Sequence, residues 1–167
     1  MIFVTVGTQL PFDRLIRSMD QWAHESNHDV FAQSGNGVYK PMNIDSMKFL
    51  GVKEFDRRVS QADLLVSHAG IGSIITAMEM SKPIVVMPRL ARFGEHRNDH
   101  QLATVSKLKE LNNVFVAESE HDLGNAIREA LDHTKTELNT APTARAALVT
   151  SISDFISSDK VRLASDR

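Results

Sequence analysis

Residues 63–88, "DLLVSHAGIGSIITAMEMSKPIVVMP", restrict the possible folds more than any other stretch of the chain. "DLLVSHAG" is a mainly apolar run that reads as a strand, and "SIITAMEMS" has helical character, with Ile74, Ile75 and Met78 on one side. Lys82-Pro83 stops that helix, and "PIVVMP" is a second apolar run bounded by prolines. A continuous run of this kind fits a strand buried on both faces. Strand, helix, strand is the pattern of parallel neighbours, which need a crossover connection.

The same alternation extends through the chain. "IFVTV" (2–6) reads as a first strand ended by Gly7. Phe12, Leu15, Ile16, Met19 and Trp22 then recur at helical spacing, with Pro11 suited to the first helical position and Asp13 to the helix's positive end. "DVFAQSG" and "MKFLGV" are further strands around the turn-rich "GNG", and "FDRRVSQA" is a short helix. Residues 98–111 read as helix, "NVFVAE" as strand, and "EHDLGNAIREALDH" as an amphipathic helix with Leu123, Ala126, Ile127 and Ala130 on one face. A last helix is expected from about Ala141 to Ile156, and 159–167 as a frayed tail. The expectation is an α/β domain over 1–158 with a Rossmann-like, doubly wound, mainly parallel sheet.

Composition narrows the function classes. With 167 residues and 42% hydrophobic content, one domain with its own core is expected. A formal charge of −2 gives no general basic field for nucleic acid, and there is no cysteine for disulfides or thiolate metal sites, which suits a reducing cytosol. No apolar stretch approaches the ~20 residues that span a bilayer, and the start reads as a strand, not a signal peptide. The chain is therefore expected to be soluble.

In such sheets, ligands collect beyond the carboxyl ends of the strands where strand order reverses. In a Rossmann-like order, strands one and four flank that point. Their outgoing loops are "GTQLP", with Gly7, Thr8 and Gln9, and "SHAGIGS", with His68, Ala69, Gly70, Gly72 and Ser73. The glycines allow a tight turn and a close backbone approach, Ser73 can cap the helix or meet a phosphate, and a helix start favours an anion. The plainer alternative is a strand-to-helix turn that needs two glycines and a cap. Thr76 and Glu79 share a polar stripe with Ser73 that could reach a ribose or simply face solvent.

"RLARFGEHRNDHQ" (89–101) follows the buried strand "PIVVMP" and gathers Arg89, Glu95, His96, Arg97, Asn98, Asp99, His100 and Gln101. Such a density of hydrogen-bonding groups suits a phosphorylated or polyhydroxylated ligand, with arginine matched to phosphate; a charged surface loop is the alternative. His96 and His100 stand at i and i+4, the spacing of two imidazole ligands, yet no third ligand is evident and Arg97 opposes a cation, so no metal is expected. His24, His28, His121 and His133 read as surface residues. Without a D-x-D pair, a departing diphosphate would have to be met by backbone N–H groups, a helix N-terminus and arginine.

The stretches "FVTVGTQLPFDRLI", "ADLLVSHAGIGSIITAME", "KPIVVMPR" and "GEHRNDHQ" together resemble the catalytic subunits of two-component, PssE-like glycosyltransferases, related to the C-terminal domain of MurG in glycosyltransferase family 28. They stand in the family's order over the first two-thirds of the chain. The resemblance implies a single GT-B half-domain that binds a UDP-sugar at its strand ends. Gly7 and Thr8 would then lie near the diphosphate, His68 to Ser73 would form the nucleotide-side turn, and Asp99, His100 and Gln101 would approach the donor sugar. Thr76 stands where many relatives have a ribose-binding glutamate, and Glu79 is one turn later.

The implied activity is inverting transfer from a UDP-sugar to a polyprenyl-diphosphate-linked oligosaccharide in exopolysaccharide or capsule synthesis. A separate membrane-anchored subunit would bind the acceptor, so the chain would be cytoplasmic and peripheral to the inner membrane through that partner. His68, His96 and His100 are the candidate general bases. No cofactor, metal or nucleic acid is implied. A non-catalytic nucleotide-sugar-binding module, a nucleotide-sugar epimerase and a homo-oligomeric scaffold are the alternatives.

Overall fold

The computed structural model describes residues 1–97, 105, 108, 111 and 113–137, with side chains as far as His133. The chain divides into two compact units, Met1–Lys135 and Thr136–Arg167. The expected helix at 141–156 and the tail lie outside the described residues, as does nearly all of the helix expected at 98–111.

Six strands form one parallel sheet: β1 (Ile2–Thr5), β2 (Val30–Gln33), β3 (Asp45–Met47), β4 (Leu64–His68), β5 (Ile84–Met87) and β6 (Val114–Val116), in the order β3-β2-β1-β4-β5-β6. The described helices are α1 (Asp13–Ser26), α2 (Val52–Gln61), α3 (Ile71–Glu79) and α4 (Leu123–Glu137). The Rossmann-like parallel sheet expected from the alternation is therefore present. β1, β2 and β5 are buried throughout, because parallel strands in this architecture have apolar layers on both faces. Leu15, Ile16 and Met19 of α1 and Leu123, Ala126, Ile127 and Ala130 of α4 join Val4, Val66, Val85 and Met87 in one core. The helical spacing read from the sequence is this packing surface.

The register places Thr5 beside Ser67, and Ser67 beside Val86. The carboxyl ends of β1 and β4 are thus adjacent, and strand order reverses between them.

Several boundaries differ from the sequence reading. "MKFLGV" was expected to be a strand, but β3 ends at Met47, and α2 begins at Val52. β3 is an exposed edge strand, so burial left no continuous apolar signature there. Pro11 lies outside α1: Phe12 is the N-cap and Asp13 the first helical residue. The Pro11 carbonyl instead receives a hydrogen bond from Arg89. His133 is half-buried, its ring edge-on to Phe115 at 5.6 Å, whereas His24, His28 and His121 are exposed as expected.

Asp20, 2% exposed, holds the connection between β2 and β3 against α1. It accepts hydrogen bonds from the Tyr39 hydroxyl (2.7 Å) and from the backbone N–H groups of Met42 (3.0 Å) and Asn43 (2.6 Å). Burial disfavours its charge, but these donors outweigh burial and hold the carboxyl below its ordinary range.

Candidate functional site

The turn after β4 is built around His68. Its ring occupies the space that side chains at Gly7 and Gly70 would fill: a Cβ on Gly70 would stand 2.1 Å from His68 Cε1, and one on Gly7 3.2 Å from Nε2. Gly7 also has φ +72°, in the left-handed region that favours glycine. Two glycines on two strand ends therefore enclose one imidazole. Burial, with the nearby positive charge of Arg89 and His96, lowers the His68 pKa to about 4. The ring is neutral near pH 7, able to donate from one nitrogen and accept at the other.

Gly72 is different. A Cβ there would meet nothing within 4 Å, so internal packing does not require this glycine. Gly70 is the N-cap of α3 and supplies no side-chain cap, while the first-turn N–H groups of any α-helix lack intrahelical acceptors. The helix start has donors and a partial positive charge, the features that receive an anion.

Ser73, read from the sequence as a helix cap or a phosphate contact, is not the cap: it stands inside the first turn. Ser67 Oγ lies 2.8 Å from the Thr5 carbonyl and 3.0 Å from Ser73 Oγ. A carbonyl only accepts, so the single Ser67 proton goes to Thr5, and the Ser67–Ser73 contact takes its proton from Ser73. Ser73 thereby joins α3 to the β1–β4 junction. Thr76 donates its proton to the Gly72 carbonyl at 3.0 Å, leaving its oxygen as an acceptor. Glu79 is exposed at the far end of α3.

The loop after β5 has a structural role that the sequence did not disclose. Arg89, only 3% exposed, crosses to the β1–α1 loop, where Nη2 donates to the carbonyls of Val6 (2.7 Å) and Leu10 (2.9 Å), and Nη1 to that of Pro11. Burial pushes its pKa down to about 10, against the opposing pull of Glu95, so it stays cationic at neutral pH. In the other direction, Arg14 of α1 reaches the β5 loop. Its Nε and Nη2 form a two-pronged pair with Glu95 at 2.9 and 2.8 Å, Nη2 donates to the Pro88 carbonyl at 2.8 Å, and Nη1 pairs with Glu120 at 3.0 Å. Glu95 also accepts the Leu90 N–H at 2.9 Å. The two loops beside the crevice hold each other through reciprocal arginines.

The residues expected to bind ligand therefore separate. Thr8, Gln9 and Arg97 are exposed, Gly7, His68, Gly70 and His96 are half-buried, and Ala69, Arg89 and Glu95 are buried. The electrostatics of His68 place it within reach of both Arg89 and His96, so these parts of the sequence meet. Asn98, Asp99, His100 and Gln101 lie outside the described residues. Arg14 and Ser67 were missed. Ser67 left a signal, a polar residue inside an otherwise apolar strand; Arg14 left none, because its partners are about eighty residues and more away in sequence. Among the described residues, no group of three or more His, Cys, Asp or Glu side chains could hold a metal ion, and no helix is long and apolar enough to cross a membrane.

Comparison with known proteins agrees with this architecture. The chain is 30% identical over 125 residues to the Homo sapiens UDP-N-acetylglucosamine transferase subunit ALG13, a match covering 68% of this chain and 11% of that protein. The Candida albicans protein of the same name is 28% identical over 78 residues, covering 47% and 25%. The chain thus spans a minor part of these relatives' lengths. An NMR structure of ALG13 superposes with TM-score 0.57 at 21% identity, covering 77% of this chain and 84% of that one. Acinetobacter baumannii MurG superposes with TM-score 0.58 at 16% identity, covering 93% and 49%. The match to the glycosyltransferase family 28 C-terminal domain runs over residues 1–157, nearly the whole chain, and the chain belongs to that family.

Proposed function

We propose that this chain is the donor-binding, catalytic subunit of an inverting glycosyltransferase. The observation that carries the reading is the convergence at the β1 and β4 carboxyl ends: His68 between Gly7 and Gly70, beside an α3 start without a side-chain cap. A UDP-sugar fits this arrangement, with its diphosphate between the first turn of α3 and Arg97 of the loop after β5. The names of the ALG13 relatives support a UDP-N-acetylglucosamine donor as the first to test.

In the reaction an acceptor hydroxyl oxygen attacks the anomeric carbon as the bond to the diphosphate breaks, and UDP leaves with the bonding electrons. The N–H groups of α3, the neutral His68 N–H and Arg97 stabilise the charge that develops on UDP. A base takes the hydroxyl proton. With its pKa near 4, His68 is a weak base, which leaves that task to His96, His100 or the partner. No metal or cofactor enters the scheme.

The acceptor is a polyprenyl-diphosphate-linked oligosaccharide of exopolysaccharide or capsule synthesis, held by a separate membrane-anchored subunit. That partner places this chain at the cytoplasmic face of the inner membrane. The weak basicity of His68 favours a second reading, a nucleotide-sugar-binding module without its own chemistry. Calorimetric titration with UDP, followed by assay of a panel of UDP-sugars with the co-expressed membrane subunit, tests both. Binding followed by transfer supports the enzyme, binding without transfer supports the module, and absence of binding overturns both.

A further inference from the structure

We propose that Arg14 is a positioning residue: from α1 it clamps the loop after β5 through Glu95 and so holds His96 and Arg97 at the diphosphate side of the crevice. The proposal rests on the UDP-sugar reading above. Arg14 lies on α1, outside the glycine turn and the arginine-rich loop.

Its geometry is unlike that of a surface ion pair. Arg14 and Glu95 have side chains only 13% and 9% exposed, and both guanidinium-to-carboxylate bonds are short, at 2.8 and 2.9 Å. A two-pronged arginine–carboxylate pair fixes direction as well as distance. Nη2 also takes the Pro88 carbonyl and Nη1 takes Glu120, so one guanidinium joins α1, the β5 loop and the connection between β6 and α4.

The loop also carries bonds of its own: the Glu95 N–H donates to the Leu90 carbonyl at 3.3 Å, and the Glu95 carbonyl accepts from Arg89 Nη1 at 3.5 Å. It is a single 3-10 turn, Ala91–Phe93, closed by Gly94 at φ +68°, and its first anchor, Arg89, precedes that turn. Glu95 is the second anchor, immediately before His96 and Arg97. The Arg14 guanidinium also lies 5.2 Å from the Phe93 ring centroid, which gives the clamp a contact inside the turn. Lysine cannot replace this fork, since a single ammonium cannot span both carboxylate oxygens in the same plane.

The test uses the full chain and the variants Arg14→Ala, Arg14→Lys and Glu95→Gln, studied well below their melting temperatures. UDP and uridine are titrated in parallel, and the His68 ring is followed by NMR against pH. Arg14→Ala should weaken UDP about tenfold, the equivalent of one lost charge-assisted hydrogen bond, and leave uridine within about twofold. Lysine should recover only part of that loss, and Glu95→Gln should reproduce it. If His96 moves away, the His68 midpoint should rise from about 4.

Parallel losses for UDP and uridine that follow the melting temperature would mean a merely structural residue and would overturn the proposal. So would unchanged UDP affinity with an unchanged His68 midpoint. If the parent chain binds neither ligand, the UDP-sugar reading itself fails; the His68 midpoint in the variants then still decides whether Arg14 holds the loop.

Discussion

The ring of His68 occupies the place of the side chain that Gly70 lacks: a Cβ at Gly70 would lie 2.1 Å from His68 Cε1 and 2.6 Å from Nδ1. Gly70→Ala must therefore push the imidazole out of its seat, with a cost of about 1–3 kcal/mol for overpacking. At Gly72 the same substitution meets open space within a helix and should stabilise the fold by up to ~1 kcal/mol. Melting temperatures of the two variants should shift in opposite directions. If the diphosphate approaches the α3 backbone, the more stable Gly72→Ala will nonetheless bind UDP more weakly; unchanged affinity would remove Gly72 from the binding surface.

His68 also gives stability a defined pH dependence. Its folded pKa, about 4, lies below the ordinary 6.5, so the unfolded chain takes up the proton first as pH falls. The contribution is fully present above about pH 6.5 and declines toward pH 4, by up to ~3 kcal/mol in all. Urea melts from pH 8 to pH 4 should show this decline, and His68→Gln should flatten it. A parallel decline in the variant would assign the effect to other groups.

Arg89 and Arg97 separate architecture from binding. Removing Arg89 leaves the carbonyls of Val6, Leu10 and Pro11 without their donor in a buried site, and Arg89→Ala should cost about 3–5 kcal/mol. Arg97 is exposed, so Arg97→Ala should leave the melting temperature unchanged while weakening UDP by about 1.5–3 kcal/mol and uridine little. Equal losses for UDP and uridine would count against a diphosphate contact.

A further prediction concerns Asp20, which holds the connection between β2 and β3. Asp20→Asn removes a charged acceptor from Tyr39, Met42 and Asn43 and should cost about 2–4 kcal/mol, whereas Tyr39→Phe should cost about 1–2 kcal/mol. Hydrogen exchange at the Met42 and Asn43 amides should accelerate in the first variant far more than in the second.

The sequence alone determined the strand–helix alternation, the amphipathic faces of α1 and α4, and the glycine-marked ends of β1 and β4. Each is a local pattern: period and burial are encoded in neighbouring residues. It was weakest at β3, an exposed edge strand with no apolar run, and at the start of α1, where the proline is held by a distant arginine. Only the tertiary structure decided what the conspicuous residues do. Arg89 and Glu95, which look like ligand contacts, are enclosed by loop carbonyls and Arg14; Gly70 makes room for His68, while a side chain at Gly72 would meet nothing. The reason is physical: a buried charge takes its role from the partners that satisfy it, and those partners come from loops that meet only when β1, β4 and β5 lie side by side.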